Sequence, residues 1–297
     1  MTARKDDTMA GSILDPGLDT AHGIVIVEGL PGSGKSTNAA DLAAWLAAAG
    51  AKVEHWPEGR ADHPVDFEHV SLLTDETFRR IAEEEPDSWR TLRAHAEPTI
   101  DGWLVRHTDQ LELPTELAAQ IRSADVYDGD IALEHHARAL SESWRDYGAQ
   151  ASGAGVQVWE CVLIQNPVCA FVARFDRRPE ELAAHVEGLV AAVRDRNPML
   201  VYLDPGDPEP ALRRAAAERP EWWSELVIGY HTGQGYGLRS GLEGFDGYIE
   251  FMRMRRALEL DLLPRLDLPT LVIRTDEEPE QTTRARIRSF AAEHLAR

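Results

Sequence analysis

Gly29-Leu30-Pro31-Gly32-Ser33-Gly34-Lys35-Ser36 matches G-x-x-x-x-G-K-[ST] at every fixed position, a spacing suited to gripping a chain of phosphates. The glycines let backbone N–H groups turn inward around an anion. A helix starting at Lys35 points the positive end of its dipole at the same place. Lys35 would reach the β- and γ-phosphates, and the Ser36 hydroxyl would sit on a magnesium ion. Gly29, Pro31, Gly32, Ser33, Gly34, Lys35, Ser36 and Thr37 thus form the donor half of a candidate site.

Holding phosphates does not define a reaction; acids and arginines at strand exits do. Glu160 sits between Trp159 and Cys161 in an apolar strand, where a carboxylate needs a partner: magnesium or its water on one reading, a structural ion pair on the other. Glu58 follows Trp56-Pro57 at a second strand exit and is the candidate general base, with a turn-stabilising or substrate-orienting role as its alternative. Asp62 and His63 compete for the base; His63 also reads as a loop residue bonded to its own backbone. Gln165 and Asn166, with paired donors and acceptors at a third strand exit, suit a polar neutral acceptor. Arg213, Arg214 and Arg219 are placed to close over transferring phosphoryl oxygens, or else to pair with Glu209 and Glu218 on a solvated helix. Trp222 and Trp223 read as packing residues.

The elements that must position these groups follow from pattern. Ile24 to Val27 is a buried-type strand, and Asn38 to Ala49 carries Leu42, Trp45, Leu46 and Ala49 on one helical face, with Gly50 beyond as the C′ residue. Further strands are expected over 51–56, 156–165, 198–204 and 270–275. Helices intervene over 180–194, 208–227, 248–263 and 282–295. Such alternation demands a parallel sheet with right-handed crossovers, five-stranded here. Residues 64–150 read as charged helices without a convincing strand, too long for a crossover. They are expected to form a helical insertion covering the acceptor side. Glu83-Glu84-Glu85 reads as a solvated helix end, and 229–247 as a mobile Gly-rich loop. The domain plan is therefore a flexible tail over 1–20, a core over 21–63 and 151–297, the insertion at 64–150, and an Arg-bearing lid at 205–225.

Composition narrows the partners. The chain has 297 residues, 43% of them hydrophobic, enough for a sizeable core. A formal charge of −20 leaves no basic stripe for nucleic acid. No apolar run reaches membrane-spanning length, and the two cysteines, Cys161 and Cys169, form neither a C-x-x-C pair nor a zinc set; both points favour the cytoplasm.

With these parts in place, the chain resembles the nucleoside and nucleotide kinases of the thymidylate-kinase and deoxynucleoside-kinase group. The resemblance rests on the phosphate loop, Trp56-Pro57-Glu58-Gly59, Glu160, the stretch from Tyr202-Leu203 through Pro208-Glu209 and Leu212-Arg213 to Arg219, and Thr275-Asp276-Glu277-Glu278. It implies a three-layer P-loop NTPase fold with strand order 2-3-1-4-5, ATP and Mg2+ as cofactors, and adenine cradled by Asp276 and Glu277. One departure stands out: Cys161 follows Glu160 where the group carries Arg, which suggests a different acceptor. The expected function is an ATP-dependent kinase that transfers the γ-phosphate to a hydroxyl or phosphate of a nucleoside, a nucleotide or a hydroxylated natural product such as an antibiotic. A nucleotide-dependent switch acting on a protein partner is the alternative. A homodimer is left open.

Overall fold

The structure is a computed structural model that describes residues 18–60, 62–106, 111–150 and 155–295. All but three residues of the expected tail, 1–17 of 1–20, lie outside this set. In chain order the elements are β1 (Gly23–Gly29), α1 (Lys35–Ala48), β2 (Val53–Trp56), β3 (Val70–Leu73), α2 (Asp75–Glu84), α3 (Pro86–Ala94), β4 (Ala96–Thr99), β5 (Gly102–Arg106), α4 (Thr115–Arg122) and α5 (Leu133–Ala149). Then follow β6 (Val156–Glu160), α6 (Gln165–Val168), a π-helical segment (Cys169–Arg174), α7 (Pro179–Ala192), β7 (Pro198–Asp204), α8 (Pro208–Glu218), α9 (Glu221–Thr232), α10 (Gly235–Arg239), α11 (Gly244–Leu262), β8 (Thr270–Arg274) and α12 (Glu280–His294).

Five strands form an all-parallel sheet in the order β2-β6-β1-β7-β8. Every residue of β1 and β7 is buried, the mark of a parallel sheet covered on both faces. Side chains alternate between two apolar clusters accordingly. Val25, Val27, Val158 and Val201 pack under Leu42 and Leu46 of α1 and Ile287 and Phe290 of α12. Ile24, Ile26, Trp159 and Leu200 pack under Trp144 of α5 and Val186 and Leu189 of α7. Parallel strands end at one edge, so the exits of β1, β2, β6 and β7 are brought together there.

The segment 64–150 departs from its expected all-helical form. It contains a three-stranded antiparallel sheet, β3-β5-β4, held between two small cores of its own. These strands are four or five residues long, too short to display a period, and Pro98 occupies the edge strand β4, where a missing N–H costs no ladder bond. The last part, α5, belongs to both bodies: Trp144 and Tyr147 lie in the main core, Ala139 and Leu140 in the insertion's. Glu83 and Glu84 end α2 in the exposed position expected of them.

Two further boundaries moved. β6 stops at Glu160 instead of continuing to Gln165, because Cys161 adopts a left-handed φ of 68° and the buried carboxylate of Glu28 accepts the N–H groups of Leu163, Ile164 and Gln165 at 2.8, 2.9 and 3.2 Å. Those donors are lost to any strand partner. The stretch 229–247 is mostly the end of α9, α10 and the start of α11, and Gly237 serves close packing there: a Cβ on it would lie 2.0 Å from the His231 carbonyl oxygen.

Candidate functional site

The phosphate loop links β1 to α1. Gly29, Gly32 and Gly34 have φ of 143°, 79° and 91°, and a Cβ on Gly32 would meet the Ala211 carbonyl of α8 at 2.8 Å. The loop therefore runs directly against α8. Gly34 stands at the N-terminus of α1 without a side-chain cap, leaving the first-turn N–H groups open. Lys35 is buried, and its Nζ donates to the Gly29 and Leu30 carbonyls at 2.8 and 3.2 Å, folded back over the loop it would serve.

A cavity of about 560 Å³ opens on this loop. Pro31, Gly32, Gly34, Lys35, Ser36 and Thr37 line it, together with Glu58, Gln165, Asn166 and Arg219. Glu58 leaves β2 through the turn at Pro57. Its Oε1 accepts from Gln165 Nε2 at 2.5 Å, and its Oε2 accepts from the Cys161 thiol at 3.4 Å. Asn166 donates to Asp66 Oδ1 at 3.0 Å; Tyr127 donates to the same carboxylate. Arg174, from the π-helical segment, clamps the carbonyls of Tyr127 and Gly129, tying the insertion to the rim. Arg219 lies over the Trp223 ring at 4.2 Å.

Other expected residues stand elsewhere. Arg213 pairs with Glu209 at 2.8 Å on the exposed side of α8, the solvated alternative, and neither it nor the exposed Arg214 lines the cavity. Asp62 is taken by Arg60 at 2.6 Å, whose hydrogen bonds hold the carboxyl below its ordinary range. His63 is buried between Trp56 and Trp159, and its Nδ1 accepts the N–H groups of Val65 and Asp66; burial pushes it down to about 3. It is a loop brace and does not line the cavity. Asp276 and Glu277 sit past β8, where both meet Arg274 at 2.8 and 3.0 Å, away from the cavity's lining. Trp222 is 62% exposed and Trp223 lines the cavity, so neither is a core packing residue.

Glu160 is buried beside Val27 in register, does not line the cavity, and has its Oε1 2.7 Å from His55 Nε2. This is the ion-pair geometry, but it engages only Oε1; Oε2 is buried without a partner. Glu28 supports the turn after β6, and burial raises it to about 7.

The cavity also collects residues that the sequence did not single out. Glu68 from the insertion is half-buried and raised to about 7, by burial first and then by the charges of Asp66 and Glu58. Tyr127 and Asp128 come from the loop before α5, and His231, Tyr248 and Arg255 from α9 and α11. No local pattern marks them, since each acquires its neighbours only through packing. Among the described residues no group of three or more His, Cys, Asp or Glu side chains is gathered as a metal site, and no helix is long and apolar enough to cross a membrane.

No protein-family model and no curated protein sequence matches the chain. Among solved structures it is similar to the crystal structure of APE1195, at 15% identity and a TM-score of 0.38, over 92% of this chain and 97% of that one. A likeness that loose carries no argument about chemistry, which is left to the residues of the site.

Proposed function

We propose that the chain is an ATP-dependent small-molecule kinase on a P-loop NTPase core, the sheet order β2-β6-β1-β7-β8 corresponding to 2-3-1-4-5 among its five parallel strands. The observation that carries this reading is the single cavity lined by both Lys35 and Ser36 on one side and Glu58, Gln165 and Arg219 on the other. A phosphate chain on residues 29–36 would draw Lys35 Nζ from the loop carbonyls onto the β- and γ-phosphates, exchanging neutral acceptors for charged ones. Arg219 supplies a mobile cation to the transferring phosphoryl group. Glu58, its two oxygens oriented by Gln165 and Cys161, takes the proton of an acceptor hydroxyl as that oxygen attacks the γ-phosphorus and the β–γ bridge breaks.

Of the two expected magnesium ligands, Ser36 lines the cavity and would offer its hydroxyl oxygen to the ion, whereas Glu160 does not line it and is held by His55. When bound, the ion neutralises charge gathering on the phosphates.

A nucleotide-dependent switch remains the alternative. It expects an apolar docking patch on the insertion, yet Ile100 is the one large apolar side chain strongly exposed there among the described residues. The test is phosphoryl transfer from [γ-32P]ATP to a panel of nucleosides and hydroxylated natural products. Transfer that Lys35→Ala and Glu58→Gln both abolish supports the kinase; hydrolysis without transfer, stimulated by a captured protein, supports the switch.

A further inference from the structure

At the end of the cavity formed by α9 and α11, three side chains are at least nine-tenths buried and each presents a polar atom with no partner: Arg255 Nη2, the Tyr248 hydroxyl and His231 Nε2. Unpartnered buried polar atoms occur elsewhere among the described residues too, and each costs on the order of a lost hydrogen bond. Three lining one cavity call for a common occupant. The rest of each side chain is firmly held. Arg255 Nε donates to Glu259 at 2.6 Å, and Glu259 accepts the Tyr202 hydroxyl at 2.6 Å with its other oxygen. His231 Nδ1 bonds the Val227 carbonyl at 2.7 Å, so that nitrogen carries the proton and Nε2 is a bare acceptor. The His231 ring lies 5.2 Å from that of Tyr248 and 4.8 Å from that of Phe251. The orphans are thus preset: an N–H donor from Arg255, a hydroxyl from Tyr248 and an acceptor from His231.

Charge then selects the occupant. The guanidinium is already matched by Glu259; of the other charged groups lining the cavity, Glu58, Glu68, Asp128 and Glu218 are acids, and Lys35 and Arg219 are cations, Arg219 lying over Trp223 of α9 and near enough to act on the Tyr248 hydroxyl. A second anion here would have no free countercharge, since Lys35 and Arg219 are engaged by the donor phosphates in the kinase reading. We infer that Arg255, Tyr248 and His231 form an acceptor-recognition subsite for an uncharged polar head, one offering an oxygen to Arg255 and Tyr248 and an O–H or N–H to His231. This rests on the kinase reading for the name of the ligand as acceptor and for its lack of charge. The subsite itself stands on the three orphaned atoms.

The test uses the full chain loaded with magnesium and a non-hydrolysable imido analogue of ATP. Binding of three matched pairs is measured by calorimetry: uridine and uridine 5′-monophosphate, glucose and glucose 6-phosphate, N-acetylglucosamine and its 6-phosphate. Tyr248→Phe is the decisive variant, because it removes a hydroxyl that bonds nothing in the protein. The expected result is that an uncharged member binds, that its phosphomonoester binds at least tenfold more weakly, and that Tyr248→Phe weakens the uncharged ligand about tenfold. The ATP analogue's affinity and the ligand-free melting temperature should hold or rise. His231→Phe should weaken the same ligand again. The inference is overturned if the phosphomonoesters bind better, if Tyr248→Phe binds the panel like the wild type, or if no pair binds. Binding that depends on Tyr248 without subsequent phosphoryl transfer from ATP would overturn the kinase reading and leave the subsite intact.

Discussion

The two ends of the cavity are built by opposite means. At the end proposed to hold phosphates, the donor half is eight consecutive residues, and the groups it would offer a ligand are mostly backbone N–H, placed by glycines at 29, 32 and 34 and by the start of α1. At the other end, Glu68, Tyr127, His231, and Tyr248 with Arg255 arrive from four separate segments, and only their side chains matter. Backbone recognition tolerates little change in conformation but much in side chain. Side-chain recognition is the reverse, and it leaves its mark as unpaired buried atoms instead of a motif.

This contrast can be broken at several points. Lys35→Ala should produce the largest loss, three to five orders of magnitude in turnover on the scale of removing a phosphate-clamping cation, read in steady-state transfer assays. If turnover stays within tenfold, the loop is not the donor site. Glu58→Gln should lower turnover by roughly two to four orders while leaving affinity for ATP almost unchanged. Glu68, held near 7, is the other carboxylate whose ordinary role would be proton transfer at neutral pH. An acid limb near pH 7 that vanishes in Glu68→Gln but persists in Glu58→Gln would reassign the base.

Arginine positions sharpen the comparison further. Arg219→Ala is expected to cost about ten- to a hundredfold in turnover, whereas Arg213→Ala and Arg214→Ala should stay within about twofold because neither side chain lines the cavity. Equal losses at all three would show that α8 rotates during the reaction. Gly32→Ala forces a side chain onto a φ of 79° and into the Ala211 carbonyl, for about 2 kcal/mol of stability and a weaker grip on ATP, measured by chemical denaturation and nucleotide titration.

The smallest effect concerns pH. Burial lowers His63 from 6.5 to about 3, so between those values the unfolded chain binds a proton that the native chain does not. Its contribution is present above pH 6.5 and is lost as the pH falls toward 3. His63→Asn keeps an acceptor for the Val65 and Asp66 N–H groups and removes the titration. The variant's loss of stability on acidification should be shallower by about 1.4 kcal/mol per pH unit between about 6 and 4. Parallel curves would show that His63 is not buried neutral.

Legibility in the sequence follows the same division. The main strands and α1 were readable because β-branched runs and a 3.6-residue apolar period are local signals, and the loop's glycines mark their own conformation. The insertion's strands were not, being short and containing Pro98. Glu58 lines the cavity just past β2, whereas Gln165 and Asn166 line it from the start of α6 and not from a strand exit, and Arg213 and Arg214 were indistinguishable from Arg219 until the turn of α8 set them on the solvent side. His63 carried the same letters as a catalytic histidine, and only the rings of Trp56 and Trp159 around it made it a brace.

The sequence by itself determined the strands and helices of the α/β core and the glycine-rich loop, because local patterns of residue type signal both. It also set Glu58 beside a strand exit. The tertiary structure alone decided what faces that loop. The orphaned atoms of Arg255, Tyr248 and His231 exist because α9 and α11 pack against each other, leaving polar groups buried beside a cavity. Whether a polar atom finds a partner depends on burial and distance, neither of which is written in residue order.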